Sequence, residues 1–181
     1  MAVQTMRSVT YLQPGEQASC LGCHEHRGGA PVARASTLAS RRPPSAITPG
    51  PDGSRPFNYA VLVQPVLDER CVECHQGPDA DGGVRLTGDP AGEFTVSYNA
   101  LVPLVRFSEW KGTPQANFEP LTQPDLFGAR ASRLTKLLLD GHEGVTVSAE
   151  ELRRLVTWMD ANALFYGTFD PQDQQRQRRG E

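Results

Sequence analysis

The chain has 181 residues, enough for one domain, or for one domain with a long irregular segment. Hydrophobic residues make up 38% and aromatics 7%, with 17 Gly and 15 Pro, so the chain reads as loop-rich with a small side-chain core. A net charge of −3 gives no case for nucleic acid, which calls for a basic face, and no apolar run reaches the length of a membrane span.

In chain order, "MAVQTMRSVTYLQPGEQ" has no apolar h-region, so it reads as a mature end or the edge of a fragment and not as a signal peptide. A turn at Pro14-Gly15 leads into "SCLGCHEHRGG". Residues 27–56 are rich in Gly, Pro, Ser, Ala and Arg and keep neither a helix nor a strand period. They read as a flexible linker between two small lobes, or as an irregular arm packed over a cofactor. "FNYAVLVQPVLDERCVECH" is expected to be helical from about Pro65, a residue favoured in the first helical position. Val66, Leu67 and Cys71 share one side of that helix, which delivers "RCVECHQG".

"GPDADGGVRLTGDP" is turn-rich, with a strand-like piece at Val84–Leu86. Asp79 and Asp81 read as turn formers, because no glutamate stands at the offset an EF-hand requires. "SYNALVPLV" predicts a short helix stopped near Pro103. "SRLTKLLLDGH" predicts a helix capped by Ser132, with Leu134, Leu137 and Leu138 on its apolar face and Gly141 at its end. "SAEELRRLVTWMDANALF" is the clearest helix. Ser148 and Glu151 form a capping box, and Leu152, Leu155, Val156 and Met159 recur at helical spacing. Met159 reads as core, not as a ligand. "DPQDQQRQRRGE" is polar and is expected to fray.

All four cysteines lie in two Cys-x-x-Cys-His stretches, at Cys20, Cys23 and His24 and at Cys71, Cys74 and His75. Structural zinc would use Cys-x-x-Cys twice, and a thioredoxin-like pair needs a βαβ context. Neither requires a histidine directly after the second cysteine. A c-type haem does: the two thiols bond to the haem vinyl groups and the next residue falls under the iron. The pattern therefore predicts two covalent haem c groups, held by Cys20, Cys23, Cys71 and Cys74, with His24 and His75 as proximal ligands. Such plates would form much of the core. Arg27, Arg34, Arg41, Arg42 and Arg55 could pair with haem propionates but read better as solvated charge.

Two histidines remain, His26 and His142. Four for two irons would allow bis-histidine ligation, which suits electron transfer; an enzyme would keep one position open. His142 lies in "LLLDGHEGV", where flanking glycines let the loop approach a flat ring. Its competing reading is a surface histidine. His26 cannot be the distal ligand of its own haem, because two residues from His24 span at most about 3.6 Å each. It either stays solvated or binds an adjacent haem, in the same chain or a neighbouring one. Exchange between chains would give a closed dimer or a filament.

"AVQTMRSVTYLQPGEQASCLGCHEHR", "PSAITPG…RPFNYAVLVQPVLDERCVECH", "GGVRLTGD" and "LLLDGHEGVTVSAEELRRLVTWMDANALFYGTF" together resemble the C-terminal dihaem cytochrome c domain of hydrazine synthase α-subunit-like proteins. The resemblance implies export, a preceding β-propeller that this chain does not include, and His142 as distal ligand of an electron-transferring second haem. It implies a catalytic first haem in the true synthase, where a tyrosine shortly after the motif histidine reaches iron. Here that stretch is "HEHRGGAP", without a tyrosine.

The expected fold is mainly α with long irregular loops. It divides into a first haem lobe (1–56), a second haem lobe (57–170) and a polar tail (171–181). The expected function is electron transfer outside the cytoplasm, periplasmic or extracellular, with redox partner proteins and self-association. The alternatives are a haem enzyme acting on a small nitrogen compound or peroxide at the first iron, and a sensor.

Overall fold

The computed structural model describes residues 1–4, 28–29, 41–43, 46, 49–53, 55–107 and 123–181. Within these the chain is mostly helical with loops and one small sheet. The helices are α1 (Tyr59–Leu62), α2 (Gln64–Arg70), α3 (Val96–Leu101), α4 (Arg133–Asp140), α5 (Ala149–Asp160) and α6 (Pro171–Arg178). Strands β1 (Pro90–Ala91) and β2 (Phe94–Thr95) pair antiparallel, Pro90 opposite Thr95 and Ala91 opposite Phe94.

Helix α2 carries Pro65 in its first turn, where a missing N–H costs nothing. Val66 and Leu67 turn inward and Asp68 and Glu69 turn outward. Helix α3 continues past Leu101 into a 3₁₀ turn, Val102–Leu104, that takes in Pro103. Helix α5 starts on the predicted capping box, with both reciprocal bonds formed between Ser148 and Glu151. Leu155 and Met159 of its predicted stripe are buried, and so is Trp158, which the stripe did not include. Met159 is core: it is fully buried, and the Thr135 hydroxyl donates to its sulfur at 3.4 Å.

Three local expectations need correction. Ser132 stands at the start of α4 but does not cap it. Its hydroxyl donates to the Gly128 carbonyl at 2.7 Å and accepts from the Arg106 N–H at 2.9 Å, so it joins two loops instead. Val84–Leu86 is extended but is not a strand of the sheet; its polar groups bond to His75. Residues 171–178 form helix α6. Asp170 caps its first two N–H groups, and the buried Gln177 accepts from the Gly167 N–H at 2.9 Å. A polar helix with almost no apolar face leaves no periodic signal.

The described residues also pack a core of their own side chains. Tyr59, Val63, Trp158 and Met159 are fully buried, with Leu67, Leu86, Leu101, Leu155 and Phe165 around them. Tyr59 meets Tyr98 and Trp158 edge-on, both at 5.2 Å between ring centres, and stacks on Phe165 at 5.4 Å. Edge-on contacts suit the ring quadrupoles and add to the area buried. A low overall aromatic content hid this, because so many of the rings meet at one place. Cys71 and Val72 pack against the same cluster, so the core fixes the end of α2 that carries the second motif.

Candidate functional site

Cys20, Cys23, His24 and His26 lie outside the described residues, as do Arg27 and Arg34. Cys71, Cys74, His75 and His142 are all described. Arg55 is ion-paired with Asp52 at 2.9 Å.

The second motif is a hydrogen-bonded turn directly after α2. The Cys71 N–H donates to Leu67 O at 2.8 Å, and the His75 N–H donates to Cys71 O and Val72 O at 3.0 and 3.1 Å. These bonds place His75 one turn after Cys71. The returning segment then braces it: Asp81 N–H donates to Cys74 O at 3.0 Å and Leu86 N–H to His75 O at 2.9 Å. Gly82 and Gly83 take positive φ of 60° and 69°, which lets the chain reverse so soon after the motif.

The imidazole is oriented by the same segment. His75 Nδ1 lies 3.0 Å from the Val84 carbonyl oxygen. A carbonyl only accepts, so Nδ1 carries a proton and donates, which in the neutral ring leaves the lone pair on Nε2. Histidine ligands of metals are commonly held in this way, with the second nitrogen donating to a backbone carbonyl.

His142 arrives from elsewhere in the chain. Gly141 ends α4 at φ 93°, and the turn closes with the Val145 N–H donating to His142 O at 2.8 Å. Two consecutive residues inside the turn, Glu143 and Gly144, have φ of 46° and 74°. Positive φ at both central positions gives a tight primed turn, which glycine enters freely and glutamate enters at a cost.

The structure brings His75 and His142 together. Their ring centres are 5.9 Å apart and their planes differ by 12°. Two metal–nitrogen bonds of about 2.0 Å in line, with each ring centre about 1 Å behind its nitrogen, would hold two imidazoles about 6 Å apart. The observed separation matches that span, and the small angle between the planes is also that of two stacked rings. Both residues are half-buried.

The thiols are placed differently. Cys71 is half-buried and burial pushes its thiol pKa up, whereas Cys74 is exposed; both are free of disulfides. Among the described residues no three Cys, His, Asp or Glu side chains converge as a metal cluster would require. A tetrahedral zinc site built from both thiols and both imidazoles would show such a convergence, with depressed thiol pKa values. Two surface grooves lie away from these histidines, one beside Arg106 and Arg133 and one between Phe94, Tyr98 and Phe165.

Sequence reading missed the Val84 carbonyl, Arg70 and the second role of Glu151. The Arg70 Nε donates to Glu151 Oε1 at 2.8 Å, which ties the end of α2 to the first turn of α5. Partners this far apart in sequence leave no local signal. The capping-box position of Glu151 was the one legible part.

No helix among the described residues is long and apolar enough to cross a membrane. No curated protein and no solved structure matches the chain. The family model of the hydrazine synthase alpha subunit middle domain matches residues 1–25, a stretch that includes the first Cys-x-x-Cys-His and ends one residue after His24.

Proposed function

We propose that the chain is a dihaem c-type cytochrome that carries electrons outside the cytoplasm, related to the C-terminal dihaem domain of hydrazine synthase α-subunit-like proteins. The observation that carries this reading is that the motif histidine His75 lies beside His142, their ring centres 5.9 Å apart and their planes nearly parallel. A bis-imidazole haem supplies one-electron chemistry with little change in coordination.

The chain's own residues do the rest. Cys71 and Cys74 attach the group, and His75 and His142 hold it from two sides. The Val84 carbonyl keeps Nδ1 of His75 protonated and Nε2 free. The turn at Glu143-Gly144 presents His142. In this reading Cys20 and Cys23 attach the first haem, His24 ligates it, and His26 ligates an adjacent haem in a neighbouring chain, which makes self-association part of the function.

A second reading is favoured by the family-model match, which spans the first motif. There the first haem keeps an open position and acts on a small nitrogen compound. One experiment separates them: electron paramagnetic resonance of the oxidised protein, with His142→Ala and His26→Ala variants. Electron transfer predicts two low-spin signals, of which His142→Ala converts one to high spin and His26→Ala alters the other. A high-spin signal in the unmutated protein, unmoved by His26→Ala, would support the enzyme reading. No change in His142→Ala would remove His142 from the site.

A further inference from the structure

We infer that Arg70 and Glu151 are positioning residues that set the approach of His142 to His75; this rests on the reading of those two histidines as ligands of one haem.

The two imidazoles come from segments with separate supports. His75 is held by the turn after α2 and by residues 81–86. His142 sits in the loop 141–148, along which every residue is exposed or half-buried. That loop has no buried side chain of its own to fix it, so its position depends on its two ends. Upstream is the last turn of α4, where Leu139 is 58% exposed. Downstream is the first turn of α5, whose buried residues begin only at Leu155.

Glu151 fixes that downstream end. One carboxylate oxygen accepts from the Ser148 N–H at 2.6 Å, completing the capping box; the other accepts from Arg70 Nε at 2.8 Å. Arg70 is the last residue of α2 and directly precedes Cys71. A second arm of the guanidinium pairs with its neighbour Glu69 at 3.1 Å. A single side chain thus joins the start of the second motif to the end of the His142 loop. The Glu151 side chain is 12% exposed and that of Arg70 36%, so solvent reaches this bond from the arginine side only.

Arg154, one turn along the same helix, supplies a built-in control. It pairs with Asp52 at 2.5 Å and ties the start of α5 to residues 49–53, but makes no link to α2. A purely structural role for Arg70 predicts that losing either ion pair has the same effect on the site.

The test uses the oxidised, haem-loaded protein and follows the rate at which added imidazole displaces the native ligand, read in the visible spectrum. His142→Ala identifies the phase that belongs to this haem. Arg70→Met keeps the aliphatic stem and removes the pair; Arg70→Lys restores the charge, and Arg154→Met is the control. The expected result is a rise of about two- to fivefold in that phase for Arg70→Met, the upper part of the range for an ion pair with one exposed partner. Arg70→Lys recovers part of it, and Arg154→Met changes it less than about twofold. Equal rates in Arg70→Met and Arg154→Met, or no rise in Arg70→Met, overturn the positioning role while His142→Ala still opens the site. If His142→Ala itself leaves every phase unchanged, the ligand reading fails and the positioning inference fails with it. If Arg70→Met does not fold, Arg70→Lys alone decides, since a salt pair without forked geometry still predicts a measurable rise.

Discussion

Ser97→Ala removes one oxygen and should cost more than its size suggests. Ser97 is fully buried, and its hydroxyl is the hub of a polar network inside the aromatic core. It donates to Gln64 Oε1 at 2.6 Å, accepts from the Tyr59 hydroxyl at 3.2 Å, and lies 3.0 Å from the Thr95 hydroxyl. Gln64 in turn donates to the Leu86 carbonyl at 3.0 Å and to Asp68 at 2.7 Å. The network therefore locks α2 against the 81–86 segment that orients His75. Burial raises the Tyr59 phenol pKa well above its usual value, so the group stays a neutral donor at any working pH. Alanine leaves that donor and the Gln64 carbonyl oxygen without their partner. Each orphaned buried group costs about 1–3 kcal/mol, and partial relaxation brings the expected loss to about 2–4 kcal/mol. For a chain of this size that lowers Tm by about 6–12 °C. Urea unfolding of the haem-loaded protein measures it, with m unchanged between variants. The double variant Tyr59→Phe/Ser97→Ala should recover about 1 kcal/mol relative to the sum of the singles, because it removes donor and acceptor together. A loss below about 0.5 kcal/mol, or strict additivity, would refute the network as a unit.

Three further outcomes are expected. Gly167→Ala would place a Cβ 2.1 Å from the Phe57 carbonyl oxygen and 2.4 Å from its nitrogen, and backbone cannot yield as a side chain does; the variant should lose its cooperative thermal transition, and an unchanged transition would contradict the close approach. Truncation after Asp170 removes the Gln177 bond to Gly167 and the Asn58 Nδ2 bond to Glu181 O at 3.3 Å; stability should fall by about 1–3 kcal/mol in urea unfolding, whereas a frayed tail predicts no change. The Ser148 N–H, and then Arg70, hold the Glu151 carboxyl below the usual carboxylate range. A depressed folded pKa contributes stability that is fully present above the unfolded value, about 4.3 for glutamate, and is lost as pH falls through the folded value. Glu151→Gln should therefore flatten the acid limb of the stability curve below that pH, and an unaltered limb would argue against the pairing.

Much of the α5 region was readable from local rules. Ser148 and Glu151 stand three residues apart ahead of an apolar stripe, and the structure forms both capping bonds. Pro65 and Gly141 marked a helix start and a helix end because each acts through its own backbone. Ser132 shows where such rules stop: its type and position suit a cap, but tertiary partners at Gly128 and Arg106 claim its hydroxyl. Helix α6 escaped notice because its buried contact is a glutamine, which hydrophobic periodicity does not detect.

The sequence by itself determined the chemistry on offer. Motif spacing is covalent, so Cys71, Cys74 and His75 stay within four residues of one another wherever the chain places them. Tertiary structure alone decided which carbonyl orients the His75 ring and that Glu151 ties the two segments together, and it set His142 beside His75, a pairing the resemblance had implied. Those partners meet only after Tyr59, Trp158 and Phe165 have packed α1, α5 and the segment after it into one core. Burying that apolar surface sets the distances, and no local pattern carries them.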